Sequence, residues 1–194
     1  GLRKVAKNPN FSSLLLVGAL IAAPFMAYLA LASYIYIDGF GVSETTFSMY
    51  FASNAAASIL GPVMYMRFGA GSVKKVINVG IIVAIISAIL ILTVGNASPI
   101  IFLLSYVLYS VMTSYFRPLI SDLLLSSTKT DVGAASSVMN FGFTVIGSIG
   151  MVVGSLQWSS YTGGLAITML IFIALTTTVW FYLLKAKSIR FDWK

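Results

Sequence analysis

The chain has 194 residues, of which 59% are hydrophobic and 9% charged, with 12 Lys and Arg against 5 Asp and Glu, a formal charge of +7, and neither His nor Cys. Soluble domains contain roughly 45–50% apolar and about 25% charged residues, so this composition predicts a membrane protein. The missing His and Cys exclude zinc sites, thiolate chemistry and Ser–His or Cys–His catalytic pairs, and we predict no metal, no cofactor and no enzyme activity.

Six apolar stretches are each long enough to cross a bilayer, which takes about 20 residues of helix. They predict an all-α, polytopic membrane protein that forms one six-helix bundle over residues 1–194. The predicted spans lie at about 11–37, 45–66, 76–94, 99–125, 133–157 and 164–184.

The first span follows a basic segment, residues 3–7, and this start resembles a signal peptide. Its apolar run is about 20 residues rather than the 7–15 of a signal peptide, so we expect it to be retained as a span. It contains Pro24, where a kink is expected, and Tyr28, which lies deep enough to line a cavity. Gly1 in place of Met is expected to mark a processed end, a cloning remnant or an excised part of a longer chain.

The second span carries Asn54, Ser58 and Gly61 at i, i+4 and i+7, so these residues share a helix face. We expect Ser58 and Gly61 to serve helix packing. Asn54 is costlier to bury, and packing and ligand contact are equally weighted for it. A kink is expected at Pro62, near the end of the span.

The third and sixth spans are mostly aliphatic and are expected to face lipid, whereas the fourth carries a polar stripe. Tyr106, Ser110, Thr113 and Arg117 recur at i, i+4, i+7 and i+11 and share one face. Polar side chains in hydrocarbon are costly and usually face a bundle interior or a wet cavity. A kink is also expected at Pro118.

Arg117 lies about eight residues, or roughly 12 Å, before the cytoplasmic end of its span, where an unpaired charge is costly. Two interpretations are open, and the favoured one gives Arg117 a functional or gating role. In the other it extends toward the cytoplasmic headgroups with help from Asp122. A spacing of five residues places the two side chains about 140° apart around the helix, which makes a direct pair poor.

The fifth span repeats Asn140, Thr144 and Ser148 every four residues. We expect Thr144 and Ser148 to serve packing, and we weigh packing and ligand contact equally for Asn140. A neighbouring face of small residues, also expected to pack, contains Gly147, Gly150 and Gly154.

Two spans are preceded by residues typical of a helix start. Ser43-Glu44 precedes the second span and Thr130-Asp131 the fifth. In both places a hydroxyl and a carboxylate suit the unpaired N–H groups of a first turn.

The basic residues fall on one side of this topology, and the opposite side holds only Asp38 and Glu44. This positive-inside pattern predicts an even number of spans with both termini cytoplasmic, in a multi-pass protein of the cell inner (plasma) membrane. It accounts for the charge of +7 without a nucleic-acid partner. The residues on the basic side are Arg3, Lys4, Lys7, Arg67, Lys74, Lys75, Lys129, Lys185, Lys187, Arg190 and Lys194.

The six spans divide into two blocks of three, at about residues 11–94 and 99–184. Because each block has an odd number of spans, the second enters the membrane from the opposite side. Two inverted three-helix repeats are typical of secondary transporters.

Two segments, within residues 18–67 and 131–142, resemble the C-terminal half of bicyclomycin-resistance-type drug efflux proteins, which belong to the major facilitator superfamily. The residues that carry the resemblance are Pro24-Phe25-Met26-Ala27-Tyr28, Tyr34-Ile35-Tyr36-Ile37, Phe40-Gly41-Val42-Ser43, Phe51-Ala52-Ser53-Asn54, Asp131-Val132-Gly133-Ala134-Ala135-Ser136-Ser137 and Asn140-Phe141-Gly142.

The resemblance implies spans seven to twelve of a twelve-span drug:proton antiporter. Its first and fourth spans here would line the cavity, the second and fifth would meet the other half, and the third and sixth would face lipid. The implied partners are the bilayer, a small lipophilic substrate, and a second six-helix bundle that is either a missing N-terminal half or another copy. The cavity-lining candidates are Tyr28, Asn54, Tyr106, Thr113, Arg117 and Asn140.

A loop signature of the family is degenerate in this chain, with Tyr65 in place of the acid. No carboxylate lies near the middle of any span, so an obvious proton site is missing. The alternative interpretation is therefore a non-transporting membrane module or an isolated transporter fragment without activity. The signature residues present are Gly61, Arg67, Gly69, Lys74 and Lys75.

Overall fold

The computed structural model describes residues 1–69, 71–128 and 131–186, and every regular element in these ranges is a helix. A π-helical segment, π1, directly continues α2. The elements are α1 (Leu2–Ala6), α2 (Pro9–Ser33), π1 (Tyr34–Gly39), α3 (Glu44–Ser58), α4 (Leu60–Phe68), α5 (Val73–Val94), α6 (Pro99–Ser126), α7 (Val132–Gly154) and α8 (Tyr161–Lys185).

Five helices of the described chain are long and apolar enough to cross a membrane: Pro9–Gly39, α5, α6, α7 and α8. The prediction of an all-helical, multi-pass membrane protein is confirmed to that extent. The second predicted span, 45–66, is not among the five because it forms two helices, α3 of 15 residues and α4 of 9.

The break between α3 and α4 has a local cause in Pro62. Proline has no N–H to donate, and its ring clashes with the carbonyl four residues earlier, which belongs to Ser58. The chain therefore turns at Ile59, whose N–H bonds to the carbonyl of Ala56 at 3.2 Å instead of continuing the α-helical pattern. By contrast, α2 and α6 continue past Pro24 and Pro118.

Side-chain caps set where the helices begin. The Ser43 Oγ accepts the N–H of Thr46 at 3.2 Å, and the Asp131 carboxylate accepts the N–H of Ala134 at 2.9 Å, as the sequence predicts. Ser160 caps α8 in the same way, which starts that helix at Tyr161, before the apolar run begins.

Helices α2 and α6 form the centre of the bundle. α2 packs on α7 and α8, α6 packs on α3–α4 and α5, and the two central helices also contact each other. The rear of the bundle is formed by α5 and α8, which pack together. Exposed isoleucines follow one side of α5, namely Ile82, Ile86 and Ile89.

The pair α3–α4 runs beside α6 over most of its length. Near the start of both, the Tyr36 ring lies 5.9 Å from that of Phe47 and 5.4 Å from that of Phe102. Near their ends, the Tyr65 hydroxyl donates to the Asp122 carboxylate at 2.6 Å. The pair α3–α4 and helix α6 therefore run parallel and extend over a similar length of the bundle.

Glycines bring helix backbones together at two places. A Cβ on Gly150 of α7 would lie 2.6 Å from the carbonyl oxygen of Ala23 in α2. A Cβ on Gly61 of α4 would lie 2.5 Å from the backbone nitrogen of Tyr115 in α6. The predicted packing role of these glycines is confirmed, and Gly147 makes a similar close contact with α2.

The ends of the bundle differ in charge. The chain start, the α4–α5 loop, the end of α6 and the end of α8 lie at one end, which carries the described basic residues apart from Arg117. Asp38 and Glu44 lie at the other end, beside the start of α3. The predicted residues Lys129, Thr130, Lys187, Arg190 and Lys194 lie outside the described residues.

Candidate functional site

One side of the bundle, here called the front face, consists of the exposed sides of α3, α4 and α7 and the cleft where α2, α6 and α7 meet. α3 buries only Asn54, and α4 buries only Gly61. Beside exposed apolar side chains such as Phe141 and Ile149, the front face also exposes small and polar residues in the middle of its helices, which the aliphatic side of α5 does not. These are Ala52, Ser53 and Ala56 on α3 and Asn140, Thr144 and Ser148 on α7.

Two of the predicted site residues touch directly. The rings of Tyr28 on α2 and Tyr106 on α6 stack with their centres 4.0 Å apart and their planes at 17°. Both side chains are buried. They belong to an aromatic cluster, defined here as Tyr28, Tyr36, Phe47, Tyr50, Phe51, Phe102, Tyr106 and Tyr109.

Several polar atoms in and beside this cluster are buried without a hydrogen-bond partner among the described protein atoms. Leaving such an atom unpaired costs roughly 1–3 kcal/mol, so a water molecule or a polar ligand group is favoured beside it. Tyr109 differs, because its hydroxyl donates to the carbonyl of Ile21 at 2.7 Å. The unpaired atoms are the hydroxyls of Tyr28, Tyr36, Tyr106 and Ser110 and the Asn54 Oδ1.

A second part of the site lies nearer the basic end of the bundle. A cavity of about 100 Å³ opens where α2, α6 and α7 meet. Thr113 and Arg117 line it together with Phe25 and Phe143, and Gly18 leaves space on the α2 side. An apolar cavity of about 150 Å³ accepts benzene. The cavity beside Arg117 is smaller but open on one side, so it suits one small ring or a few water molecules.

Arg117 is exposed at this cavity, and no carboxylate of the described residues lies within ion-pair distance of it. Asp122, the suggested helper, is instead hydrogen bonded to Tyr65. Asn140 is exposed on α7, one turn before the cavity residue Phe143. The six predicted residues thus form two groups. Tyr28, Asn54 and Tyr106 are buried away from the cleft, whereas Thr113, although buried, lines the cleft with the exposed Arg117, and Asn140 is exposed beside it.

The predicted loop signature is spread over three elements. Gly61 is inside α4 as a packing residue, and Arg67 lies in the last turn of that helix. Gly69 ends α4 with a φ of 67°, in the region that favours glycine. Lys74 and Lys75 lie in the first turn of α5.

Two tyrosines join this signature to α6, a connection that the sequence analysis missed. Tyr115 donates to the Gly69 carbonyl at 2.6 Å, while Tyr65 donates to Asp122. The substitution of Tyr65 for an acid was the available signal, because a phenol there needs an acceptor and Asp122 is the nearest acid on a neighbouring span.

The π-helical end of the first span and most of the aromatic cluster were also missed. Tyr36 is fully buried against Tyr50 and Phe102, although its position near the span end predicts an interfacial residue. The spacing of Phe47, Tyr50 and Phe51 at i, i+3 and i+4 was the signal for an aromatic face on α3.

Comparison with protein-family models, curated proteins and solved structures found no match for this chain. The resemblance to drug efflux proteins therefore rests on the quoted residues alone.

Proposed function

We propose that this chain forms one six-helix half of a secondary transporter of the major facilitator type. The transporter exports small lipophilic compounds by proton antiport. The observation that carries the proposal is the front face, where α3 and α7 expose small and polar side chains and the cleft beside them holds an unpaired Arg117. A face of this kind is costly against lipid and suits a wet cavity between two bundles.

Six crossings follow from counting α3–α4 as one span. From Glu44 to Phe68 the pair covers roughly 37 Å at 1.5 Å per residue, more than the ~30 Å hydrocarbon core. Its contacts with α6 at both ends support a full crossing. With six spans, the described basic residues other than Arg117 face the cytoplasm together with both chain ends.

The packing pattern supports two inverted repeats. If α2, α3–α4 and α5 correspond to α6, α7 and α8, then the contact of α2 with α7 matches that of α6 with α3–α4. In the same way, the contact of α2 with α8 matches that of α6 with α5. Both α7 and α4 approach their central helix through glycine.

The second bundle in this proposal covers the front face and is either another half or a second copy. Substrate binds between the bundles, against the aromatic cluster and the cleft around Arg117. Rocking of one bundle against the other then opens the site to each side of the membrane in turn. If the second bundle is a different half, it supplies the proton-coupling acids, as the family resemblance implies.

Flux measurements on reconstituted protein test this function. We expect drug-dependent proton movement in liposomes. If the second bundle is another copy of the chain, we also expect light scattering in detergent to give a protein mass above the 20.8 kDa of a single chain. A 20.8 kDa monomer that transports by itself would contradict the two-bundle arrangement.

The alternative is a membrane module that does not transport, and one observation favours it. The Tyr28 and Tyr106 rings stack at 4.0 Å, which leaves no space for a ligand between them. An intact helical fold with no flux for any compound tested, in the presence of a matching second bundle, supports this alternative.

A further inference from the structure

We infer that the cleft around Arg117 is a binding site for amphipathic anions, with the charged group of the ligand on Arg117 and its apolar body among phenylalanines. This inference rests on the proposed transport function and specifies its substrate class. It differs from a site for neutral or cationic lipophilic compounds, which the aromatic cluster alone would suit.

The first step is the charge of the site. Arg117 is a permanent cation, and no carboxylate of the described chain lies within 4.0 Å of its nitrogens. Its own helix places Asp122 five residues away, and that carboxylate is bound to Tyr65. A cation in a cleft with low-dielectric walls has its field focused there and attracts an anion more strongly than a cation on an open surface does.

The second step is the lining of the cleft. Beside Arg117, the polar side chains are Thr113 and Ser114, whose hydroxyls are able to donate to an anionic oxygen. The rest of the lining is small or apolar, with Phe25 and Phe143 on the two helices that face α6. A planar guanidinium beside two hydroxyls and aromatic rings fits a carboxylate or phosphate attached to a ring or alkyl body.

The third step is the depth of Arg117. It lies nine residues before the end of α6 at Ser126, or about 14 Å along the helix. The anion is therefore either an amphipathic solute within the cleft or the phosphate of a lipid that reaches it from the basic end. Both sources offer the same chemistry to Arg117.

The test compares two ligands that differ in charge, benzoate and the neutral benzamide, by titration calorimetry on the full chain in neutral detergent. We expect benzoate to bind about tenfold or more tightly, the size of one charge-assisted contact. Arg117→Gln is expected to reduce benzoate binding to the level of benzamide, and Arg117→Lys to retain an anion preference.

Two control variants separate charge from space. Arg3→Gln makes the same substitution on exposed α1 and is expected to leave the preference unchanged. Ala22→Phe fills the cleft without changing charge and is expected to weaken both ligands. Equal binding of the two ligands to the unmodified chain, no binding of either, or a preference that survives Arg117→Gln would overturn the inference.

Vesicles distinguish the two sources of the anion. If phosphatidylglycerol in phosphatidylcholine vesicles competes with benzoate, the anion site is supported and its occupant is a lipid headgroup; if it does not compete, the site serves a solute. Anion-selective binding without uptake of benzoate into vesicles contradicts the transport function and leaves the site intact. Uptake of neutral drugs without anion preference does the reverse.

Discussion

The packing of α7 on α2 makes a quantitative prediction at Gly150. An added Cβ would lie 2.6 Å from the Ala23 carbonyl oxygen and 3.1 Å from its carbonyl carbon, both backbone atoms that cannot rotate away. To reach an ordinary contact of about 3.4 Å, the helices must separate by about 0.8 Å, and a gap of 0.5–1 Å loses a quarter to a half of each dispersion contact. Overpacking of this kind costs about 1–3 kcal/mol.

The matched control is Gly133→Ala, because Gly133 lies on the same helix and its added Cβ meets nothing closer than 3.9 Å. Alanine gains roughly 1 kcal/mol of helix propensity over glycine in a helix interior, where Gly150 lies, and less in the first turn, where Gly133 lies, so the difference between the two variants is a lower bound on the packing cost. At about 2–4 °C per kcal/mol for a chain of this size, Gly150→Ala is expected to melt below Gly133→Ala, by up to roughly 12 °C. Thermal unfolding followed by far-ultraviolet circular dichroism measures this. Equal melting of the two variants would refute the close approach of α7 to α2.

Three further predictions concern α4, α7 and the front face. Tyr65→Phe removes the hydrogen bond to Asp122 and is expected to lower stability by about 1 kcal/mol, seen as a melting shift of about 2–4 °C; no shift contradicts a stabilising bond. The chain has no Cys, so a single introduced cysteine reports on its own surroundings. Asn140→Cys on the front face is expected to react with a membrane-impermeant maleimide in vesicles, whereas Val79→Cys on α5 is not. Equal labelling of the two variants argues against a wet front face. Pro62→Ala restores a backbone N–H and is expected to join α3 and α4 into one helix. The new amide at position 62 should then exchange its hydrogen as slowly as amides in the middle of α3, and exchange as fast as an unprotected amide would contradict this.

Much of the fold is predictable from the sequence because membrane helices need long apolar runs. Five spans match their predicted positions to within a few residues, and the caps at Ser43 and Asp131 follow from local chemistry. The break in the second span is harder to predict. Pro24 and Pro118 occur in helices that continue, whereas Pro62 coincides with a break, and composition alone does not distinguish these cases.

The candidate site is only partly predictable because helix spacing gives direction but not what the neighbouring helix supplies. Tyr106 and Arg117 share a face of α6, yet Tyr106 is fully buried and Arg117 is exposed. At Tyr106, α2 presents the large stacked ring of Tyr28, whereas the α2 residues that line the Arg117 cavity are the small Gly18 and Ala22 beside Phe25. A sequence without a known helix register does not show which residues of α2 lie opposite.

The polar stripe of α6 therefore passes through two environments rather than lining one pocket. From Tyr106 to Arg117 it extends about 17 Å along the helix, more than half the hydrocarbon core. One end lies in a buried aromatic cluster with unpaired hydroxyls, and the other lies in an open cleft with an unpaired cation. A packing stripe has no need of such a change in environment, whereas the proposed transport function requires a site whose two ends open in turn. Labelling and ligand binding along the polar stripe of α6 therefore distinguish a transporter from a static module.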